Sequence, residues 1–272
     1  MKDHLACRLA PQHGDLPSGP SPRAKQTAVQ CVEDRELDRS ERVGRSHRPS
    51  LRSCSPMIRR SSVRPLAAIA VVALAVFAAM TVAVTTSAPL GIDSAAFDIA
   101  DDIRAPWLDH VFRVITSFGL IAIVGSAVVI GAVLLIMRFQ PARAAALVAG
   151  AALAWVTVWL TKAIVDRARP PEPLVHTGGQ SYPSAHAANS VGWLALAIAL
   201  TVVIPSRRGS IAAIVLGAVL AVLVGLSRIY LRAHYASDVI AGEALAVAMY
   251  CLATIGAIAL TAGRPTTPTR GA

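Results

Sequence analysis

A chain of 272 residues that is 54% hydrophobic and 15% charged, with a mean hydropathy of +0.56, is too apolar for an ordinary water-soluble domain and has the balance of a polytopic membrane protein. Its formal net charge of +10 would suit a nucleic-acid partner. Half of the Lys and Arg lie before Pro65, however, and no basic–aromatic interleaving accompanies them, so no nucleic-acid binding is expected.

Residues 1–64 are rich in Arg, Ser and Pro and lack a hydrophobic face. They cannot bury enough apolar area to offset the entropy of ordering, and a disordered cytoplasmic tail is predicted there. Met57 opens "MIRRSSVRPLAAIAVV", whose charged-then-apolar layout predicts an alternative natural start. The apolar run that follows is too long for a signal-peptide core and has no convincing cleavage site, so it is expected to be a retained span. Cys7, Cys31 and Cys54 lie in the tail and Cys251 in an apolar stretch. Without C-x-x-C spacing, neither a metal site nor a disulfide framework is expected.

Six apolar segments then follow, at 66–86, 118–137, 144–164, 187–204, 210–226 and 239–261. Each is near the roughly 20 residues that cross a bilayer, the fourth and fifth being slightly short. Segments this apolar must satisfy their own backbone groups in lipid, so the fold class is all-α, a six-transmembrane-helix bundle over 65–262. Residues 263–272 form a short second tail. Arg59, Arg60 and Arg64, then Arg138 and Arg143 in "RFQPAR", then Arg207 and Arg208 in "PSRRGS" fall on one side of such a bundle. The positive-inside rule makes that side, with both termini, cytoplasmic.

The connections from Lys162 to His186 and from Ser227 to Asp238 then face outward, yet both are dense in cations. In "KAIVDRARP", Lys162 and Arg169 are seven residues apart, two helical turns, so both can project from one face, with Pro170 ending the span. Snorkelling cations at a helix end would look the same. Arg167 is a further cation whose direction the spacing does not fix. In "YPSAHAANS", Pro183 and Ser184 suit a helix start, where free N–H groups and the dipole attract an anion beside His186. In "SRIYLRAHYASDV", His234 and Asp238 are four apart, a spacing that brings a carboxylate to an imidazole, and Arg228 adds a guanidinium. An ordinary surface ion pair would have the same spacing. Tyr182, Tyr230 and Tyr235 fit an interfacial aromatic belt. Taken together, these cations, a helix N-terminus and two histidines on one face describe a receptor for phosphate and phosphoryl transfer through a covalent intermediate. Glu243, five residues beyond Asp238 within the last span, is an intramembrane carboxylate with no assigned step.

K-x6-R-P at Lys162–Pro170, P-S-x-H at Pro183–His186 and S-R-x5-H-x3-D at Ser227–Asp238 together resemble the three-part signature of the type 2 phosphatidic acid phosphatase superfamily. "APWLDHVFRVITSFG" is similar to the segment before the second span in bacterial members. The resemblance extends over about 65–262 and implies a role at each matched position. His234 would attack phosphorus with Asp238 orienting it, and His186 would protonate the leaving oxygen. Lys162, Arg169, Ser184 and Arg228, with the backbone N–H of Ala185, would bind phosphate. No metal and no cofactor would be required. Ala185 and Ala233 stand where the family often has Gly, and a positive φ at Ala185 would put activity in doubt. The expected partners are a lipid phosphate and membrane lipids, with the site at the outer membrane face. Candidate substrates are polyprenyl diphosphate first, then phosphatidylglycerol phosphate and phosphatidic acid. The alternatives are a vanadium-haloperoxidase-like enzyme, which the same motifs resemble, and a catalytically silent lipid-binding membrane protein.

Overall fold

The computed structural model describes residues 63–87 and 90–262. The Met57 start, almost all of the predicted tail and the segment 263–272 lie outside the described residues. Among the described residues eight helices follow one another: α1 (Val63–Ser87), α2 (Gly91–Asp102), α3 (Pro106–Ser117), α4 (Ile121–Met137), α5 (Pro141–Val165), α6 (Ala185–Leu200), α7 (Arg207–Tyr230) and α8 (Ala236–Ala262). Among the described residues there is no strand, as the all-α expectation requires.

Of the six predicted spans, α1, α5, α7 and α8 are each long and apolar enough to cross a membrane alone. The second is a bent pair, in which α3 and α4 meet at 45° across Phe118–Leu120. The fourth, α6, has only 16 residues, about 24 Å of helix against the roughly 30 Å of a hydrocarbon core. It is a central helix, packed against α4, α5, α7 and α8, so its ends meet protein rather than lipid alone. The count of six is therefore approximate. The predicted outer loop after the first span is in fact helical, because α2 and α3 fold back over α7, and α2 also reaches α8.

Lipid tails are as apolar as any side chain, so helices in a membrane associate through close packing of small residues. That is the composition of the interior, where Ala73, Ala154, Ala188, Ala246 and Ala248 are buried together. The outward faces are the reverse of a soluble protein, with Ile130, Trp159 and Leu216 each more than 60% exposed. Such a surface is stable only against lipid.

α8 organises the bundle, packing on α1, α5 and α6. Its Gly242 lets it touch the start of α6, since a Cβ there would stand 2.5 Å from the Ser184 carbonyl oxygen. The obstacle is backbone and cannot swing aside. Gly242→Ala is therefore expected to destabilise the protein by about 1–3 kcal/mol, as overpacking does. A thermal unfolding midpoint in detergent equal to that of the wild type would contradict this packing argument.

Candidate active site

Three turns converge at one end of the bundle. α5 stops at Val165, four residues before Arg169, because Asp166 takes a left-handed conformation (φ 46°) and its N–H closes on the Lys162 carbonyl. Lys162 and Arg169 therefore do not share a helix face, contrary to the spacing argument. Lys162 ends α5, while Arg169 approaches from the extended segment that follows. The second turn behaves as expected: Ser184 caps α6, its Oγ accepting from Ala187 N at 3.4 Å. Ala185 is the first helical residue and has no positive φ, and neither has Ala233, so the two departures from glycine require no strained backbone. In the third turn, His234 precedes α8 and Asp238 lies in its first turn. The Ser184 amide donates to the Asp238 carbonyl at 2.9 Å, which fastens the starts of α6 and α8 together.

His234 is 1% exposed and sits between a donor and an acceptor. Its Nδ1 lies 3.3 Å from Asp238 Oδ2, and its Nε2 lies 3.1 Å from Arg169 Nη1. A guanidinium has donors only, so Nε2 presents its lone pair and Nδ1 carries the proton. Burial pushes His234 down to about 4 even though Asp238 pulls the other way, leaving a neutral imidazole. Asp238 Oδ2 also accepts from the Tyr235 amide at 3.0 Å and from the Ser181 hydroxyl.

The basic residues divide into two kinds. Lys162 Nζ donates to the carbonyls of Gln180 (2.6 Å) and Ser181 (3.3 Å). Arg169 donates to those of Gly178 (2.9 Å), Gly179 (3.0 Å) and Ala233 (2.7 Å). Arg228, 4% exposed, donates to Thr116 Oγ1 at 2.8 Å, and its buried Nε has no partner among the described residues. Among the described residues none of these three meets a carboxylate within ion-pair distance. Arg167 is the opposite case, paired with Asp238 at 2.6 Å and with Asp93 at 2.8 Å. Three clustered cations with no carboxylate at ion-pair distance are the arrangement that an anion would neutralise. His186, in the first turn of α6, lies within electrostatic reach of Arg228, His234, Arg169 and Lys162. All the predicted site residues thus gather at one place.

Several residues there escaped the sequence reading. Ser181, Thr116, Asp93 and Ser237 each bond to a site residue, yet they sit at no diagnostic spacing, and Asp93 lies far upstream on α2. The tyrosines do not form an interfacial belt. Tyr182 and Tyr230 are buried, with hydroxyls bonded to Thr81 and to Ala105, and the ring of Tyr235 lies under Arg167. Glu243 fits against Gly225 of α7, and its buried Oε1 has no partner among the described residues.

Comparisons with known proteins bear on the family and the fold. A family model described as PAP2 superfamily matches residues 143–260. Phosphatidylglycerophosphatase B of Bacillus subtilis (strain 168) is 33% identical over 192 residues, covering 65% of this chain and 88% of its own. The crystal structure of a transmembrane PAP2-type phosphatidylglycerolphosphate phosphatase from Bacillus subtilis superimposes with a TM-score of 0.62 at 29% identity, over 68% of this chain and 93% of that one. LpxE of Aquifex aeolicus, at 20% identity and TM-score 0.50, shares the fold over 61% of this chain and 96% of its own.

If the three cations without carboxylates form the anion site, inorganic phosphate should raise the thermal midpoint of the detergent-purified protein. Arg169→Ala should weaken that phosphate affinity about 10- to 100-fold, the effect of losing a charge-assisted contact. An unchanged dissociation constant would mean that the anion binds elsewhere.

Proposed function

The chain belongs to the PAP2 superfamily, and on that footing we propose that it is a multi-pass membrane lipid phosphatase working through a phosphohistidine on His234. One observation carries the reading: a neutral His234, its proton held on Nδ1 by Asp238, offers an Nε2 lone pair beside three cations that have no carboxylate. Lys162, Arg169 and Arg228, with the α6 amides at Ala185, would hold the phosphoryl oxygens, the guanidinium of Arg169 moving from Nε2 to the phosphate. The lone pair of Nε2 attacks phosphorus as the bond to the leaving oxygen breaks, and His186, which takes up a proton once the bound phosphate anion offsets the surrounding cations, gives that oxygen its proton. Water then attacks the phosphohistidine, His186 takes the water's proton, and inorganic phosphate departs with the histidine restored. Charge stabilisation comes from these side chains and the α6 amides in every step, so none requires a metal.

The relatives' names favour phosphatidylglycerol phosphate as the first substrate to try, ahead of the polyprenyl diphosphate suggested by the outward-facing topology. Both are phosphate groups on a lipid whose tail can remain among the helices while the head group enters the site. The phosphatase domain would span 65–262, with both tails cytoplasmic and the site at the outer face. A haloperoxidase-like enzyme loses support, since the exposed apolar belt and the relatives are those of membrane proteins.

Detergent-purified protein is expected to release phosphate from phosphatidylglycerol phosphate in EDTA, faster than from polyprenyl diphosphate or phosphatidic acid. His234→Ala should abolish release without unfolding the protein, and His186→Ala should lower kcat by about 10²–10⁴-fold. More than a tenth of wild-type activity in His234→Ala would refute the covalent route. No release from any of the three lipids would leave a silent lipid-binding protein as the better account.

A further inference from the structure

We propose that Asp93 and Arg167 are a positioning pair that orients Asp238, and through it His234, an inference that rests on the phosphohistidine reading. The Asp238 carboxylate is fully buried, and its two oxygens do different things. Oδ2 faces His234, the Tyr235 amide and Ser181, whereas Oδ1 takes Arg167 Nη1 at 2.6 Å. The bond to the imidazole is long for one of its kind, 3.3 Å, and so directs the ring weakly by itself. The carboxylate is aimed by its other oxygen, which Arg167 holds.

Arg167 is held in turn. Its Nη2 donates to Asp93 Oδ2 at 2.8 Å and its Nη1 also reaches Ser237 Oγ at 2.8 Å. Ser237 returns to Asp93 twice, its amide donating to Oδ1 and its hydroxyl to Oδ2, both at 2.9 Å. The ring of Tyr235 lies 3.9 Å beneath the guanidinium. Asp93 is 1% exposed, and Ser237 and Asp238 are buried with it, so both carboxylates of the loop are closed to water. Asp238 cannot rotate its carboxylate without opening an ion pair, and Arg167 cannot leave without stranding two buried anions.

This arrangement separates Arg167 from the phosphate-binding cations. Both of its terminal nitrogens are engaged by buried carboxylates and one face is covered by an aromatic ring, so its charge is directed at Asp93 and Asp238 rather than at a phosphoryl oxygen. It supplies charge as well as direction. An Asp238 carboxylate without Arg167 would be balanced only by drawing a second proton onto His234, and that proton would occupy the lone pair that attacks phosphorus. Asp93 lies 69 residues before Lys162 on α2, outside all three motifs.

The test uses the full chain in detergent and compares Asp93→Asn and Arg167→Lys with the wild type and His234→Ala. Each variant is expected to lower kcat by about 10- to 100-fold, as loss of an outer orienting partner does, with KM and competitive inhibition by inorganic phosphate unchanged. The double variant Asp93→Asn/Asp238→Asn should be no slower than Asp238→Asn alone, since both changes act on one carboxylate. Raised KM and weakened inhibition in Arg167→Lys would make Arg167 a phosphate ligand and overturn the proposal. So would additive losses, full kcat in the folded variants, or failure of both single variants to fold, which would reduce the pair to a stability element. A dead His234→Ala beside a fully active Asp93→Asn sinks the pair alone. An inactive wild type, or an active His234→Ala, sinks the phosphohistidine reading and the pair with it.

Discussion

Burying a carboxylate completely is unfavourable unless every lone pair is met, and Asp238 is buried completely. The structure around it can be understood as the set of groups that make this possible: an imidazole, a guanidinium, a hydroxyl and an amide on the carboxylate, and the Ser184 amide on its own carbonyl. These partners come from the segment after α5, the turn before α6 and the connection before α8. Meeting the needs of one side chain therefore brings all three turns to the same place. The geometry of the candidate site and the local stability of that end of the bundle are one network.

The cations pose the inverse problem. Lys162, Arg169 and Arg228 are partly or wholly withdrawn from water and, among the described residues, meet only neutral acceptors: carbonyls, a hydroxyl and the His234 imidazole. Neutral acceptors lower the desolvation cost of a charge without cancelling the charge itself. On the proposed reading the site is held short of neutrality by the helices beneath it, and a phosphate would complete it. Preorganised charge of this kind has little reorganisation left to do when the transition state forms.

The helices can hold such charges only because they pack closely. Alanines line the shared faces of α1, α5, α6 and α8, and Gly242 lets α8 approach the backbone at Ser184. α2 and α3, which cross no membrane by themselves, act from the side. α2 supplies Asp93 to Arg167 and Ser237, and α3 supplies Thr116 to Arg228. α2 and the first half of the bent second span thus form a second wall of the site.

Much of this was legible in the chain. Hydropathy alone determined that the protein is a helical membrane bundle, since lipid permits apolar segments few other solutions. Spacing placed Ser184 at a helix start and His234 beside Asp238, because capping and i,i+4 proximity are local effects of a few residues. Other features depended on contacts between distant segments. The left-handed Asp166 breaks the helix that would have carried Lys162 and Arg169 on one face. Nothing within "KAIVDRARP" says that Arg167 turns to carboxylates while Arg169 turns to the imidazole, because the partners that decide it, Asp93, Ser237 and Ala233, lie 64 to 74 residues away. Local sequence determined which groups are available and at which helix ends they sit. Tertiary packing decided which charges are neutralised and which are left for a ligand, since an ion pair depends on distance in space and the chain specifies that distance only once it has folded.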